Sequence, residues 1–206
     1  MSFWRKLGVF FTVLFIRIAF ATGLRKAWLA FSCWVFQPRG KADLPKLDSP
    51  KDVEDLLGKC QYKADPLKGK WDFIYDPRYL IYKINNHDYE NFPKGPWIGD
   101  CDDFHWLGAH LLALVDCVTD VTYLSSAFYS KEKKKTGAHA TCVYKYEGAW
   151  HHLDYRIRDI KNDPNNAPDM VAVRYTGGDK EAIALYWVWE DLKHNLVALY
   201  PDKLSV

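Results

Sequence analysis

The apolar positions of this chain change period several times, and each change marks an element. From Cys101 to Val118 the chain reads CDDFHWLGAHLLALVDCV. Phe104, Leu107, Leu111, Leu114, Val115 and Val118 recur there at i, i+3, i+4 and i+7, which predicts a helix of four or more turns with one buried face. Asp100 suits its N-cap, and Asp102 and Asp103 suit the positive end of its dipole. Earlier, Ser49-Pro50-Lys-Asp-Val-Glu54 opens a short helix to about Leu57, with Gly58 placed to end it. Residues 60 to 98 are aromatic and turn-rich, with Asp65-Pro66, Asp76-Pro77 and Phe92-Pro93. They are expected to wrap the long helix and shape a groove. Val118 to Tyr129 reads as a strand, 159 to 169 as a polar loop, Val171 to Tyr175 as a last strand and Asp179 to about Leu199 as a closing helix.

Between the first strand and that loop, GAHATCVYKY and AWHHLDY flank Glu147-Gly148. Both arms are rich in β-branched and aromatic residues, so they predict a hairpin. With Glu147-Gly148 as the whole loop, Thr141 faces Asp154 and His139 faces Arg156. With Lys145 to Gly148 as the loop, His139 faces Asp154 directly. Side chains alternate with period two, so either even loop puts His139 and Asp154 on one face as direct or diagonal neighbours. The Lys131-Glu-Lys-Lys-Lys135 run reads as a solvated hairpin tip.

This pattern carries a chemistry. A cysteine in the first turn of a helix meets free backbone N–H groups and the dipole, which favour thiolate over thiol. A thiolate attacks carbonyl carbon, and it needs a general base and an orienting group nearby. His139 and Asp154 supply both. Each residue alone has a plainer reading: Cys101 as a core thiol, His139 as a packed strand histidine, Asp154 as a turn acid. The adjacent His151 and His152 point to opposite faces, and either is an alternative base.

The order Cys, His on a strand, Asp on the next strand resembles the transglutaminase-like cysteine peptidase superfamily, in its bacterial and phage-type members. GDCDDF resembles the nucleophile motif, and GAHATCVY and HHLDY the His and Asp segments, over about residues 43 to 190. The resemblance implies a papain-like α+β fold with the cysteine helix packed on an antiparallel sheet. It also implies a Cys101–His139–Asp154 triad that acts on peptide or other amide bonds through a thioester. His105 stands where a small residue is common in the family. No glutamine closely precedes Cys101, so Trp97 or Asn91 is the candidate oxyanion donor beside the Cys101 backbone N–H. Amine transfer by the same triad and an NlpC/P60-type cell-wall amidase are the enzymatic alternatives. A catalytically inactive binding or structural protein is the other.

The chemistry requires no cofactor. Asp100, Asp102 and Asp103 form a candidate calcium site by their carboxylates, and calcium dependence in some bacterial relatives agrees with that; helix capping explains the same residues without a metal. Zinc at Cys101, His139 and Asp154 lacks any CxxC or HExxH spacing.

At 206 residues the chain fits one domain and an extension. The net charge of +2 hides an asymmetry, because residues 1 to 42 carry seven Lys or Arg and no Asp or Glu. The remainder is net acidic, which argues against nucleic acid as a partner; the polypeptide or peptidoglycan-type amide substrate is what the family resemblance implies. Five cysteines with no regular spacing read as free thiols. Residues 1 to 36 hold ten aromatic residues. The run Leu7 to Ile16 is too short to span a bilayer alone, and Arg17 follows it. A signal peptide with Ala19-Phe20-Ala21, an uncleaved anchor over about 7 to 24, and a pair of interfacial helices are the readings that place this segment at a membrane or in export. A pair of helices buried against the rest is the alternative. Gln37-Pro-Arg-Gly-Lys-Ala-Asp-Leu-Pro-Lys46 reads as a linker by its Pro and Gly content, and the chain divides into a 1–42 segment and a 43–206 catalytic domain.

Overall fold

The fold was read from a computed structural model. It describes residues 3–35, 40–63, 74–160 and 163–201; residues 37–39 of the linker and the Asp65-Pro66 turn lie outside them. The described elements are α1 (Phe3–Ala21), α2 (Leu24–Val35), α3 (Pro50–Gly58), β1 (Gln61–Tyr62), α4 (Pro77–Asn85), β2 (Trp97–Gly99), α5 (Cys101–Leu112), β3 (Val118–Ser130), β4 (Lys135–Tyr146), β5 (Ala149–Asp154), β6 (Arg156–Asp159), α6 (Ala167–Tyr175), β7 (Ile183–Glu190) and β8 (Leu196–Tyr200). The class is α+β. A six-stranded sheet in the order β6-β5-β4-β3-β7-β8 pairs antiparallel throughout, and helix α5 lies on one of its faces.

Helix α5 is the hub. Its Phe104, Leu107 and Leu111 meet Cys142, Tyr144 and Leu153 of the sheet, while Val53 and Leu57 of α3 and Leu80, Ile81 and Ile84 of α4 close over it. Almost every residue from Asp102 to Leu112 is therefore buried, where the apolar period predicted one buried face. At Gly108 a Cβ would come within 2.8 Å of Leu153 Cδ2, so the missing side chain sets how closely helix and sheet approach. The helix is also shorter than the four turns predicted. It ends at Leu112, and Cys117 takes a positive φ of 64° to turn the chain into β3 at Val118.

The hairpin forms with the two-residue loop, since Tyr146 pairs with Ala149 and Cys142 with Leu153. Glu147 (φ 49°) and Gly148 (φ 85°) both take the left-handed conformation such a tight loop requires.

The C-terminal third departs from the sequence reading. Val171 to Tyr175 is the end of helix α6. Pro168 in its first turn and Asp169 beside it favour helix, and Gly177 and Gly178, at φ 75° and 90°, follow its end. Residues 179 to 199 hold two strands in place of a helix. Ile183-Ala-Leu-Tyr-Trp-Val-Trp-Glu190 is dense in β-branched and aromatic side chains, and β3 offers it a free edge, with Ser126 paired to Trp187. Helix α6 covers the sheet face opposite α5, through Phe128, Val171 and Ala172.

Candidate active site

Asp100 caps α5 as expected, its side chain accepting from the Asp102 N–H at 3.3 Å, and Cys101 is the first helical residue, half-buried. Gly99, at φ +123°, takes a conformation open mainly to glycine and joins β2 to this cap.

His139 and Asp154 meet. His139 Nε2 donates to Asp154 Oδ1 at 2.8 Å, and both side chains are almost wholly buried. The register makes them diagonal neighbours, as the short-loop alternative required. Asp154 also accepts from Arg174 Nη1 at 2.6 Å and from the Tyr175 hydroxyl at 3.0 Å. Burial pushes this carboxyl upward, but the hydrogen bond from His139, the nearby histidine rings and the Arg174 guanidinium outweigh it and hold its pKa well below the usual carboxylate range. The ionised Asp154 fixes the His139 tautomer with its proton on Nε2, so Nδ1 is left as the basic nitrogen.

By strand alternation His139 shares its face with Thr141 and Val143, the α6 side, while Ala140 packs with Cys101 and Trp106 of α5. Strand β5 stops at Asp154, however, and its pairing with β4 begins at Cys142, so the outer half of β4 has an open edge on that side. There the His139 ring lies 5.3 Å from that of His105 on α5, 5.9 Å from Tyr155 and 3.9 Å from Tyr175. Burial raises the Tyr155 and Tyr175 phenols, and the Cys101 thiol adds to both shifts.

His105 ties the nucleophile's helix to the acid's strand. Its Nδ1–H donates to the Cys101 carbonyl, and its Nε2 accepts from the Tyr155 N–H at 3.2 Å. Both bonds need a neutral ring. Burial, with His139 adding to it, pushes the His105 pKa down to about 3, so the ring stays neutral. The sequence marked His105 only as a departure from the family pattern. Arg174 and Tyr175 were missed altogether, because they lie in the segment read as a strand, and no local signal pairs them with residue 154.

The alternative bases lie elsewhere. His151 pairs with the exposed Asp159 at 2.9 Å and its ring stacks 5.5 Å from Tyr144. His152 is buried beside Met170, Val173 and Arg174, and burial pushes its pKa down to about 4. Of the oxyanion candidates, Asn91 spends its side-chain amide on Asp88 at 2.7 Å, whereas Trp97 opens β2 and is 54% exposed. Trp97 also lines a cleft of about 960 Å³, together with Gln61, Tyr82, His87, Phe92 and Pro96. Of the three aspartates, Asp100 and Asp102 group with Cys101, their ligand atoms all within 4.8 Å of one another. Asp102 Oδ2 is buried with no hydrogen-bond partner. Asp103 is outside that group and accepts from the Tyr75 N–H at 2.7 Å.

No protein-family model and no curated protein matches the chain. Among solved structures it is similar to Legionella pneumophila LapG. The calcium-bound form is 22% identical over 56% of this chain and 58% of that one, with a TM-score of 0.36. The EGTA-treated form is 19% identical over 67% and 60%, with a TM-score of 0.37. A further LapG structure is 18% identical over 67% and 62%, again with a TM-score of 0.37. The match thus spans less than two thirds of LapG's length.

Proposed function

We propose that this protein is a thiol-dependent amide hydrolase of transglutaminase-like type, with Cys101 as nucleophile, His139 as base and Asp154 as the acid that orients it. The observation that carries this reading is the buried His139–Asp154 pair beside the first turn of the helix that starts at Cys101. The order of the three residues in the motifs GDCDDF, GAHATCVY and HHLDY supports it.

In this mechanism His139 Nδ1 takes the Cys101 proton, and the thiolate attacks the amide carbonyl carbon. The charge that develops on oxygen is met by the Cys101 backbone N–H and the Trp97 indole N–H. The imidazolium then protonates the leaving nitrogen, the C–N bond breaks, and a thioester remains. Water, deprotonated by His139, attacks the thioester and releases the acid and the thiol. An amine in place of water makes the reaction a transfer, and nothing in the triad distinguishes the two. The cleft beyond Trp97 fits one side of an extended peptide with aromatic or aliphatic side chains. Calcium enters this reading through Asp100 and Asp102, whose ligand atoms lie together beside Cys101 while those of Asp103 fall outside that group. Two carboxylates fall well short of the six to eight oxygens calcium takes, so the ion would need water or substrate oxygen to complete its shell.

Iodoacetamide at about pH 6.5 tests the reading. Cys101 is expected to label ahead of the other four cysteines. Burial pushes the Cys60 thiol up to about 12 and the Cys142 thiol upward as well, which makes both poor competitors. His139→Ala should remove most of the selectivity. Asp154→Asn should spare more labelling but impair turnover, because it misorients the base. EGTA should leave labelling unchanged, since the thiolate depends on His139 and the helix start. Labelling of Cys101 no faster than exposed Cys117 would sink the enzyme reading and favour a scaffold.

A further inference from the structure

The two N-terminal helices are turned inside out for a chain in water. On α1 the outward stripe is Trp4, Phe11, Phe15 and Ile18, and on α2 it is Leu24, Phe31 and Trp34. Neither stripe carries a charge. Trp4 and Trp34 are 76% and 78% exposed, and Phe15 is 67% exposed. The arginines of the same helices face the body of the protein instead. Arg5 lies 3.7 Å over the Tyr129 ring, Arg17 donates to the Pro201 carbonyl at 3.3 Å, and Arg25 pairs with the buried Glu190 at 3.0 Å. The inner sides are anchored too: Val13 packs on Val188 and Leu199, and Leu29 on Trp106 and Tyr123. A helix selected to face water would place its arginines outward and its Phe and Trp inward.

We infer that this outer face lies in the interfacial layer of a lipid bilayer, with α1 and α2 in the plane of the membrane. Three observations favour lipid. Tryptophan stands near the two far ends of the helix pair with Phe, Ile and Leu between, the distribution that the headgroup boundary favours. Residues 1 to 42 contain no acid to repel headgroup phosphates. Between the two tryptophans the stripes carry only the hydrocarbon side chains of Phe, Ile and Leu. Among the described residues no single helix is long and apolar enough to cross a membrane, and the pair that reaches that length and composition together is bent by 77°. The contacts of Arg5, Arg17 and Arg25 hold both helices on the sheet.

Co-sedimentation of the full chain with vesicles of mixed phosphatidylcholine and phosphatidylglycerol tests the inference. The wild type is expected to pellet with vesicles and to do so still at raised salt, because apolar insertion carries the binding. The triple variant F11S/F15S/F31S changes only outward side chains. It should bind about tenfold more weakly or worse, while its iodoacetamide labelling pattern stays that of the wild type and reports an intact fold. Wild type that stays in the supernatant, or a variant that pellets as well as wild type, would overturn the inference. A concentration-dependent dimer that ignores vesicles and is lost in the variant would overturn it as well, and would assign the face to a second copy of the chain.

Discussion

His105 shows how much one residue can link. Its two nitrogens join the Cys101 carbonyl to the Tyr155 N–H, the position just after Asp154. Replacing it with alanine leaves the partly buried Tyr155 N–H without this partner, which costs up to roughly 3 kcal/mol. It also frees the first turn of α5 from the end of β5. His105→Ala is therefore expected to lower Tm and to lower kcat more than it changes KM, because substrate-binding surfaces are untouched while nucleophile and base lose their shared support. His105→Asn keeps a donor and an acceptor and should recover part of both losses. Steady-state kinetics beside thermal melts check this. A kcat that stays at the wild-type value while Tm falls would reduce His105 to a packing residue.

At the scale of elements, the junction of β2 and α5 decides where the thiol sits. Gly99 is held at φ +123°, and a Cβ there would overlap the Asp103 carboxylate. That carboxylate accepts from the Tyr75 N–H and so ties the irregular segment ahead of α4 to the start of α5. Gly99→Ala is expected to cost roughly 2–3 kcal/mol, from the strained φ and the displaced Asp103 together. Urea denaturation measures the cost. Labelling of Cys101 should slow in the same variant, because the helix start moves with its cap. Unchanged stability would show that the junction relaxes without loss.

The whole molecule carries a charge-state requirement. Burial, with neighbouring histidines adding to it, pushes the pKa of His105 to about 3 and that of His110 to about 4, and burial likewise takes His152 to about 4. An unfolded histidine titrates at about 6.5. Between these values the unfolded chain binds protons the folded chain refuses, so stability is complete above about pH 6.5 and falls as pH drops toward the folded values. At about pH 5 each of the three costs about 2 kcal/mol. Asp154, with its lowered pKa, adds a further loss only below the ordinary carboxylate range. Thermal melts from pH 7 to 4 should show Tm falling steeply through this window. A flat profile down to pH 5 would mean these rings take up protons in the folded state.

What the sequence by itself determined is local chemistry with a period. The N-caps at Ser49 and Asp100, the two-residue loop at Glu147-Gly148 and the alternation that puts His139 and Asp154 on one face all follow from short-range rules of backbone and side-chain geometry. So did a candidate site of Cys101, His139 and Asp154, because helix starts and hairpin registers can be read from a dozen residues. Tertiary structure decided the rest, because it depends on partners distant in the chain. Residues 183 to 200 became strands when β3 offered an edge, though a lone apolar run of that length suits a helix equally. Arg174 and Tyr175 reach Asp154 only because α6 folds over the sheet face that α5 leaves open. The N-terminal cations could not be assigned an inward direction until Tyr129, Glu190 and Pro201 stood beneath them. Periodicity names the face of an element that differs from the other; only the packed fold says which face turns to the core, and what the outer one is left to meet.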